Sequence, residues 1–175
     1  MGLKRWGFFL LSFCGVLTAG PSYVCEEPMA LMAGPDEPGV FYSARTMVGF
    51  SNLPRPGEPF GLRLFQIYDK ATGVRIGNIS ASVRGNKGKI LSIGIVNDRR
   101  GEELGPEAEA LILDFLFSRH KVEKVMVYIN EGNSSSIRAH RKLGFTPTSS
   151  EPEVNYSVDE TAFRNATANR FGDYR

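Results

Sequence analysis

Cysteine and histidine are nearly absent from this chain. Among its 175 residues there are two of each: Cys14 and Cys25, His120 and His140. Two cysteines near one end cannot build a disulfide framework, and they lack zinc-ligand spacing, so no metal centre is expected. A marked excess of charge is missing too. Lys and Arg number 21 against 19 Asp and Glu, for a net charge of +2, and the basic residues are dispersed. That balance offers nothing to a nucleic-acid partner. The longest largely apolar run, residues 7–19, is too short to span a bilayer as a relaxed helix. What remains is an ordinary globular composition, 42% hydrophobic and 11% aromatic, with room for one domain and a short extra segment.

The first twenty residues carry Lys4 and Arg5, the apolar run, and Leu17-Thr18-Ala19 before Gly20-Pro21. These are the parts of a secretory signal peptide. The alternative is a hydrophobic segment of the fold. Residues 1–20 are therefore read as a signal peptide or hydrophobic N-terminal segment. Location follows from that choice: cytoplasmic without cleavage, the secretory pathway with it. Residues 21–59 hold seven prolines, Pro21, Pro28, Pro35, Pro38, Pro54, Pro56 and Pro59, and read as irregular. A short strand fits residues 40–45 or 46–50.

Periodicity begins at residue 60. Alternation predicts strands over 61–69, 74–83 and 89–96, joined by turns at 70–73 and 84–88 into an antiparallel meander. Gly94 lies inside the third strand, where glycine marks a bulge or a close approach, or simply packs under a large neighbour. Gly105, Pro106 and Glu107 open a helix with apolar residues at Ala108, Leu111, Ile112, Phe115 and Leu116. His120 reads as a surface residue at its end. Residues 122–130 make a strand buried on both faces, parallel to the third. Asn133 caps a short helix that Gly144 stops, with Phe145 packing back on the core. One more strand fits 154–158, and the last residues fray. The main domain is placed at 60–165, followed by a tail at 166–175. The fold class is α/β, with a mixed, mostly antiparallel central sheet and flanking helices.

The chemistry concentrates where the third strand meets the first helix. Arg100-Gly101-Glu102-Glu103-Leu104-Gly105 stands at a helix N-terminus, where free N–H groups and the dipole attract anions, above all phosphate. Gly101 and Gly105 let the backbone approach, and Arg100 brings a forked donor.

Downstream, NSSSIRAHRKLGF resembles the closing signature of the GNAT acyltransferase superfamily through Asn133, Ser136, Ile137, Lys142, Gly144 and Phe145. The loop from Arg100 to Gly105 resembles that family's cofactor motif, and the strand and helix around it are similar to the family's central strand and cofactor helix. The likeness covers residues 61–145. It implies acetyl-CoA as acyl donor and direct transfer to an amine, either a protein N-terminus or a small amine. It puts the arm of the donor in a split between the strands at 90–96 and 123–130. The implied donor contacts are Ile93, Ile95, Val96, Arg100, Gly101, Glu102, Leu104, Gly105, Asn133 and Ser136. His140 stands where the family often has a tyrosine acid. The other reading is a helix residue with no chemical part.

This chain departs from the family pattern at three places. Glu103 replaces the motif's middle glycine and would set a negative charge near the diphosphate. His140 replaces the tyrosine. The N-terminal strand and helix pair that shapes the acceptor pocket is not recognisable in residues 1–59. These departures motivate an alternative, a catalytically degenerate GNAT-fold binding or scaffold protein. Arg138, Arg141 and Lys142 either meet an outer phosphate or form a solvated face. The acceptor patterns for glycosylation at Asn78, Asn133, Asn155 and Asn165 motivate a third reading, a secreted protein that uses its sheet for contacts alone. The expected partners are acetyl-CoA and an amine acceptor, without nucleic acid. A membrane is met only through an uncleaved N-terminal segment. The chain is expected to be a monomer or a homodimer.

Overall fold

The computed structural model describes residues 40–51, 60–148 and 154–170, which all fall in one compact unit. The segment read as a signal peptide lies outside the described residues. In chain order the elements are β1 (Val40–Tyr42), β2 (Thr46–Phe50), β3 (Leu62–Asp69), β4 (Arg75–Arg84), β5 (Lys87–Ile95), a 3-10 turn (Asn97–Arg99), α1 (Leu104–Ser118), β6 (Lys124–Ile129), α2 (Ser134–Arg141), β7 (Thr146–Pro147), β8 (Val154–Val158) and α3 (Glu160–Thr167). The eight strands form one sheet in the order β1-β2-β3-β4-β5-β6-β8-β7. Every pairing is antiparallel except β5 with β6. The expected mixed, mostly antiparallel sheet is present.

One face of the sheet buries Phe65, Ile67, Ile79, Ala81, Ile90, Val125, Val127 and Ile129. α1 lies on that face and buries Ala108, Leu111, Ile112, Phe115 and Leu116, the stripe its sequence period marks. Phe115 is the hub. Its ring meets Phe41, Phe50, Phe60, Phe65 and His120 with centroids 4.8–6.5 Å apart. Burying such a ring contributes roughly 1.5–3 kcal/mol from transfer alone.

Several expectations are corrected. The domain does not begin at residue 60, because β1 and β2 extend the sheet and pack on α1. The anchor is Glu107, which in the sequence marks only the positive end of the helix dipole. Its buried carboxylate accepts from Ser43 Oγ at 2.5 Å and Arg45 N–H at 2.7 Å, and it pairs with the Arg45 guanidinium at 2.8 Å. The strand at 124–129 is buried on one face only, since Tyr128 is exposed. His120 is half-buried, with its ring 4.3 Å from Phe60. The tail does not start at 166, because α3 runs to the buried Thr167. Asp159 caps it, accepting from Ala162 N–H, and Phe163 stacks on Phe117. A cap of this kind contributes about 1 kcal/mol.

The meander carries two irregularities. Ile67 pairs Gly77 while Tyr68 pairs Arg75, which leaves Ile76 as an extra residue in β4. Ser80 pairs Ser92 while Ala81 pairs Ile90, which leaves Leu91 as an extra residue in β5. The bulge thus falls at Leu91. Gly94 sits in regular register opposite Asn78. The glycine that the sheet needs is Gly77. A Cβ there would stand 2.1 Å from the Gly94 carbonyl oxygen.

Candidate active site

The parallel pairing of β5 and β6 is short. It runs from Lys87↔Lys124 to Ile90↔Val127 and stops. Both strands continue past that point. β5 stays paired to β4 through Ile95↔Gly77, and β6 stays paired to β8 through Ile129↔Val154. The bulge at Leu91 marks the place where β5 turns away, because an unpaired residue bends its strand. Beyond Ile90, the edge of β5 that faces β6 has no strand partner among the described residues. A wedge therefore opens inside the sheet, with its vertex at Ile90 and Val127.

The loop at the mouth of the wedge is built by charge. Asp69 Oδ1 accepts from the backbone N–H of Ala71 and Thr72, both at 2.9 Å, while Oδ2 pairs with Arg99 at 2.7 Å. The Arg99 hydrogen bond, with the Thr72 backbone, holds the Asp69 carboxyl down to about 2. Arg99 also pairs with Glu102 at 2.9 Å, and Arg45 donates to the Glu102 carbonyl at 2.9 Å. Glu102 thus fixes the loop and turns its side chain to Arg99. Gly101 takes φ +86, a backbone angle that suits glycine. Arg100 donates from Nε to the Ile95 carbonyl at 3.0 Å, and no bond of its terminal nitrogens is recorded among the described residues.

α1 begins two residues before Pro106. Glu103 is its N-cap, in the left-handed region at φ 62, and its side chain makes no capping hydrogen bond. The first intrahelical donor is Glu107 N–H, to the Glu103 carbonyl, so the N–H groups of Leu104 and Gly105 have no helical acceptor. Leu104 buries its side chain and has only its backbone to offer. Gly105 lies over Ile93 and Ile95, with an added Cβ reaching them at 3.8 and 3.5 Å. The helix tip is therefore seated on the free arm of β5. Val96 is exposed beside it.

Glu103 does not point an unpaired charge at this tip. Its carboxylate is ion-paired with Lys142, and that hydrogen bond pulls its pKa below the usual carboxylate value. Lys142 is the C-cap of α2. The helix thus leaves the β6 arm and its far end is tied to the start of α1 on the β5 arm. Asn133 caps the near end, accepting from Ser136 N–H at 3.1 Å.

His140 makes the second tie. It is buried, with Nδ1 2.8 Å from the Ser136 carbonyl oxygen and Nε2 3.2 Å from Glu109 Oε1 on α1, out of line for a hydrogen bond. Burial presses its pKa down, but the Glu109 charge outweighs burial and raises it to about 9. The Glu109 charge thus favours the imidazolium, with Nδ1 bonded to the Ser136 carbonyl and Nε2 facing the Glu109 carboxylate. No cluster of three metal-ligating side chains occurs among the described residues.

These elements fit a long ligand with an anionic end. Among the described residues, the wedge has unpaired strand edges, the donors at the helix tip have no helical acceptor, and the terminal nitrogens of Arg100 have no recorded bond. Comparison decides the family. The sequence profile of the acetyltransferase (GNAT) domain matches residues 30–146. The chain belongs to the GNAT acetyltransferase family.

Acetyl-CoA is the usual donor of GNAT enzymes, and solved structures share this fold. A spermidine N-acetyltransferase from Vibrio cholerae, in complex with CoA and spermine, aligns with a TM-score of 0.54 at 13% identity, over 59% of this chain and 68% of that one. The ribosomal-protein-S5-alanine acetyltransferase from Vibrio fischeri aligns with 0.50 at 18% identity, over 58% and 63%. The PaiA N-acetyltransferase from Thermoplasma acidophilum, in complex with coenzyme A, aligns with 0.51 at 14% identity, over 57% and 61%. The aligned part is less than two thirds of the length of the last two. No curated protein matches the sequence.

Within the GNAT domain the structure gathers Ile93, Ile95, Val96, Arg100, Gly101, Leu104 and Gly105 around the mouth of the wedge, with Asn133 and Ser136 at the head of α2. Sequence reading missed the Lys142 partner of Glu103 and the Glu109 partner of His140. A glutamate at each of two helical positions is ordinary solvent-face composition. Only the crossing of α1 and α2 makes these pairs.

Proposed function

We propose that this GNAT domain is an acetyl-CoA-dependent N-acetyltransferase acting on a primary amine. The observation that carries the reading is the separation of β5 from β6 beyond Ile90 and Val127, with an uncapped helix tip at its mouth. Bound acetyl-CoA supplies an activated acyl carbon and an anionic handle. The N–H groups of Leu104 and Gly105, with Arg100, bind the diphosphate. The free edge of β5 from Leu91 to Ile95 orients the arm by backbone hydrogen bonds, and its N–H groups near Ile95 polarise the carbonyl. Asn133 and Ser136 hold the head of α2 beside that arm. Burial of His140, with Nδ1 bonded to Ser136 and Nε2 facing the buried Glu109, supports a positioning part for it and leaves the departing sulfur to be protonated by solvent.

The test is calorimetry of the full chain with acetyl-CoA. Saturable binding is expected, weakened about tenfold in Arg100→Ala. Absence of heat at millimolar acetyl-CoA contradicts the reading. A second reading, binding without turnover, is favoured by Glu103, which occupies Lys142. Turnover of acetyl-CoA with an amine removes it.

A further inference from the structure

Among the described residues, the three α-helices lie on one face of the sheet. α1 covers it, since an added Cβ on Gly88 of β5 would meet both Leu116 of α1 and Val125 of β6. α2 and α3 each reach α1, through His140 beside Glu109 and Phe163 against Phe117. A donor arm in the wedge is therefore covered on that side. An amine meets its acyl carbon from the other face.

Two side chains mark that other face where the wedge begins. Ile90 and Val127 are the last paired residues, so Leu91 and Tyr128 are the first beyond them on the two arms. Val125, Val127 and Ile129 are buried on the α1 side, and alternation turns Tyr128 the opposite way. Leu91 and Tyr128 are both exposed. Leu91 is a hydrocarbon. Ser92, next on the free arm, is exposed but shares a hydrogen bond with Ser80 Oγ at 2.6 Å. Tyr128 brings a hydroxyl that accepts one hydrogen bond while it donates another. The amine side needs both abilities. The nitrogen must be held with its lone pair toward the acyl carbon, and it must shed a proton as its new bond forms.

We propose that the Tyr128 hydroxyl receives the acceptor amine and relays its proton to water. This rests on the acetyltransferase reading above and names a group for the acceptor side of that site. The neutral nitrogen forms its bond to the acyl carbon as the carbon–sulfur bond breaks, and the electron pair leaves with sulfur. The proton shed by nitrogen passes to Tyr128 Oη while the phenol proton passes to water. Water then protonates the thiolate, and the phenol ends the cycle unchanged.

Nitration of the full chain with tetranitromethane, which attacks exposed tyrosines, tests the placement. Tyr42 is the internal control. It is 45% exposed, as Tyr128 is, and it stands on β1, five strand spacings or roughly 24 Å from β6. Saturating acetyl-CoA, verified by calorimetry on the same sample, is expected to slow nitration of Tyr128 at least about fivefold and to leave Tyr42 unchanged. Unaltered nitration of Tyr128, or equal slowing at both tyrosines, overturns the inference. Tyr128→Phe keeps the ring and removes the hydroxyl. With spermidine or Ala-Glu as probe amine, it is expected to lower kcat at least about tenfold while the acetyl-CoA Kd stays that of the parent. A smaller loss of kcat, or a loss matched by equally weakened acetyl-CoA binding, overturns the relay. Binding of acetyl-CoA by the parent with turnover of neither amine also overturns the relay and leaves the donor site standing. Failure of the parent to bind acetyl-CoA overturns the acetyltransferase reading instead, and the inference with it.

Discussion

Glu103 carries two burdens at once. It holds a left-handed backbone angle, which costs a residue with a side chain roughly 1–2 kcal/mol, and it brings negative charge to a helix tip suited to anions. Lys142 offsets the second burden by pairing with it. Glu103→Gly relieves the backbone and frees the Lys142 ammonium. Acetyl-CoA binding measured by calorimetry should tighten about threefold to tenfold, which corresponds to roughly 1 kcal/mol. Unchanged affinity would mean that the pair stands clear of the diphosphate. Gly77 is the opposite case. A side chain there would collide with the Gly94 carbonyl, so Gly77→Ala must force β4 from β5. It should lower stability by several kcal/mol in a urea titration, on the scale of exceptional single substitutions of about 4 kcal/mol or more.

At the scale of elements, α2 depends on two ion pairs to hold its place across the wedge. Glu109 and His140 are both buried, so removing one leaves the other as an isolated charge. His140→Ala should cost about 3–5 kcal/mol of unfolding free energy, whereas replacing both residues by leucine should recover most of that. If the single and double variants lose equally, the pair does not hold α2. Much of this architecture was legible beforehand. The bounds of β8 and the stripe of α1 follow from apolar period, and Asn133 as cap follows from side-chain chemistry. The rest depends on partners far apart in the chain. The sequence allows one short strand at 40–45 or 46–50, and both β1 and β2 form, with Glu107 binding the turn between them. The bulge fell at Leu91 and not at Gly94 because strand pairing decides it. The start of α1 shifted to Leu104 because Glu103 tolerates a backbone angle that its sequence does not advertise.

For the whole molecule, proton linkage gives a directional expectation. The folded pKa of His140, about 9, lies above its ordinary 6.5. The stability this group contributes is complete below about pH 6.5 and is lost as pH rises through about 9. The Tm should therefore fall across that window in the parent chain, and the fall should shrink in the double leucine variant. Asp69 acts at the other extreme, since its contribution is lost only as pH falls from 3.8 toward about 2. On the proposed reading, the sheet, its one parallel pair among the described residues and the crossing helix act together on a long ligand. Hydrogen–deuterium exchange of the full chain with and without acetyl-CoA tests it most directly. The account predicts new protection in three segments, 91–96, 100–105 and 130–136. Protection confined to other segments, or no protection at saturating acetyl-CoA, would contradict it.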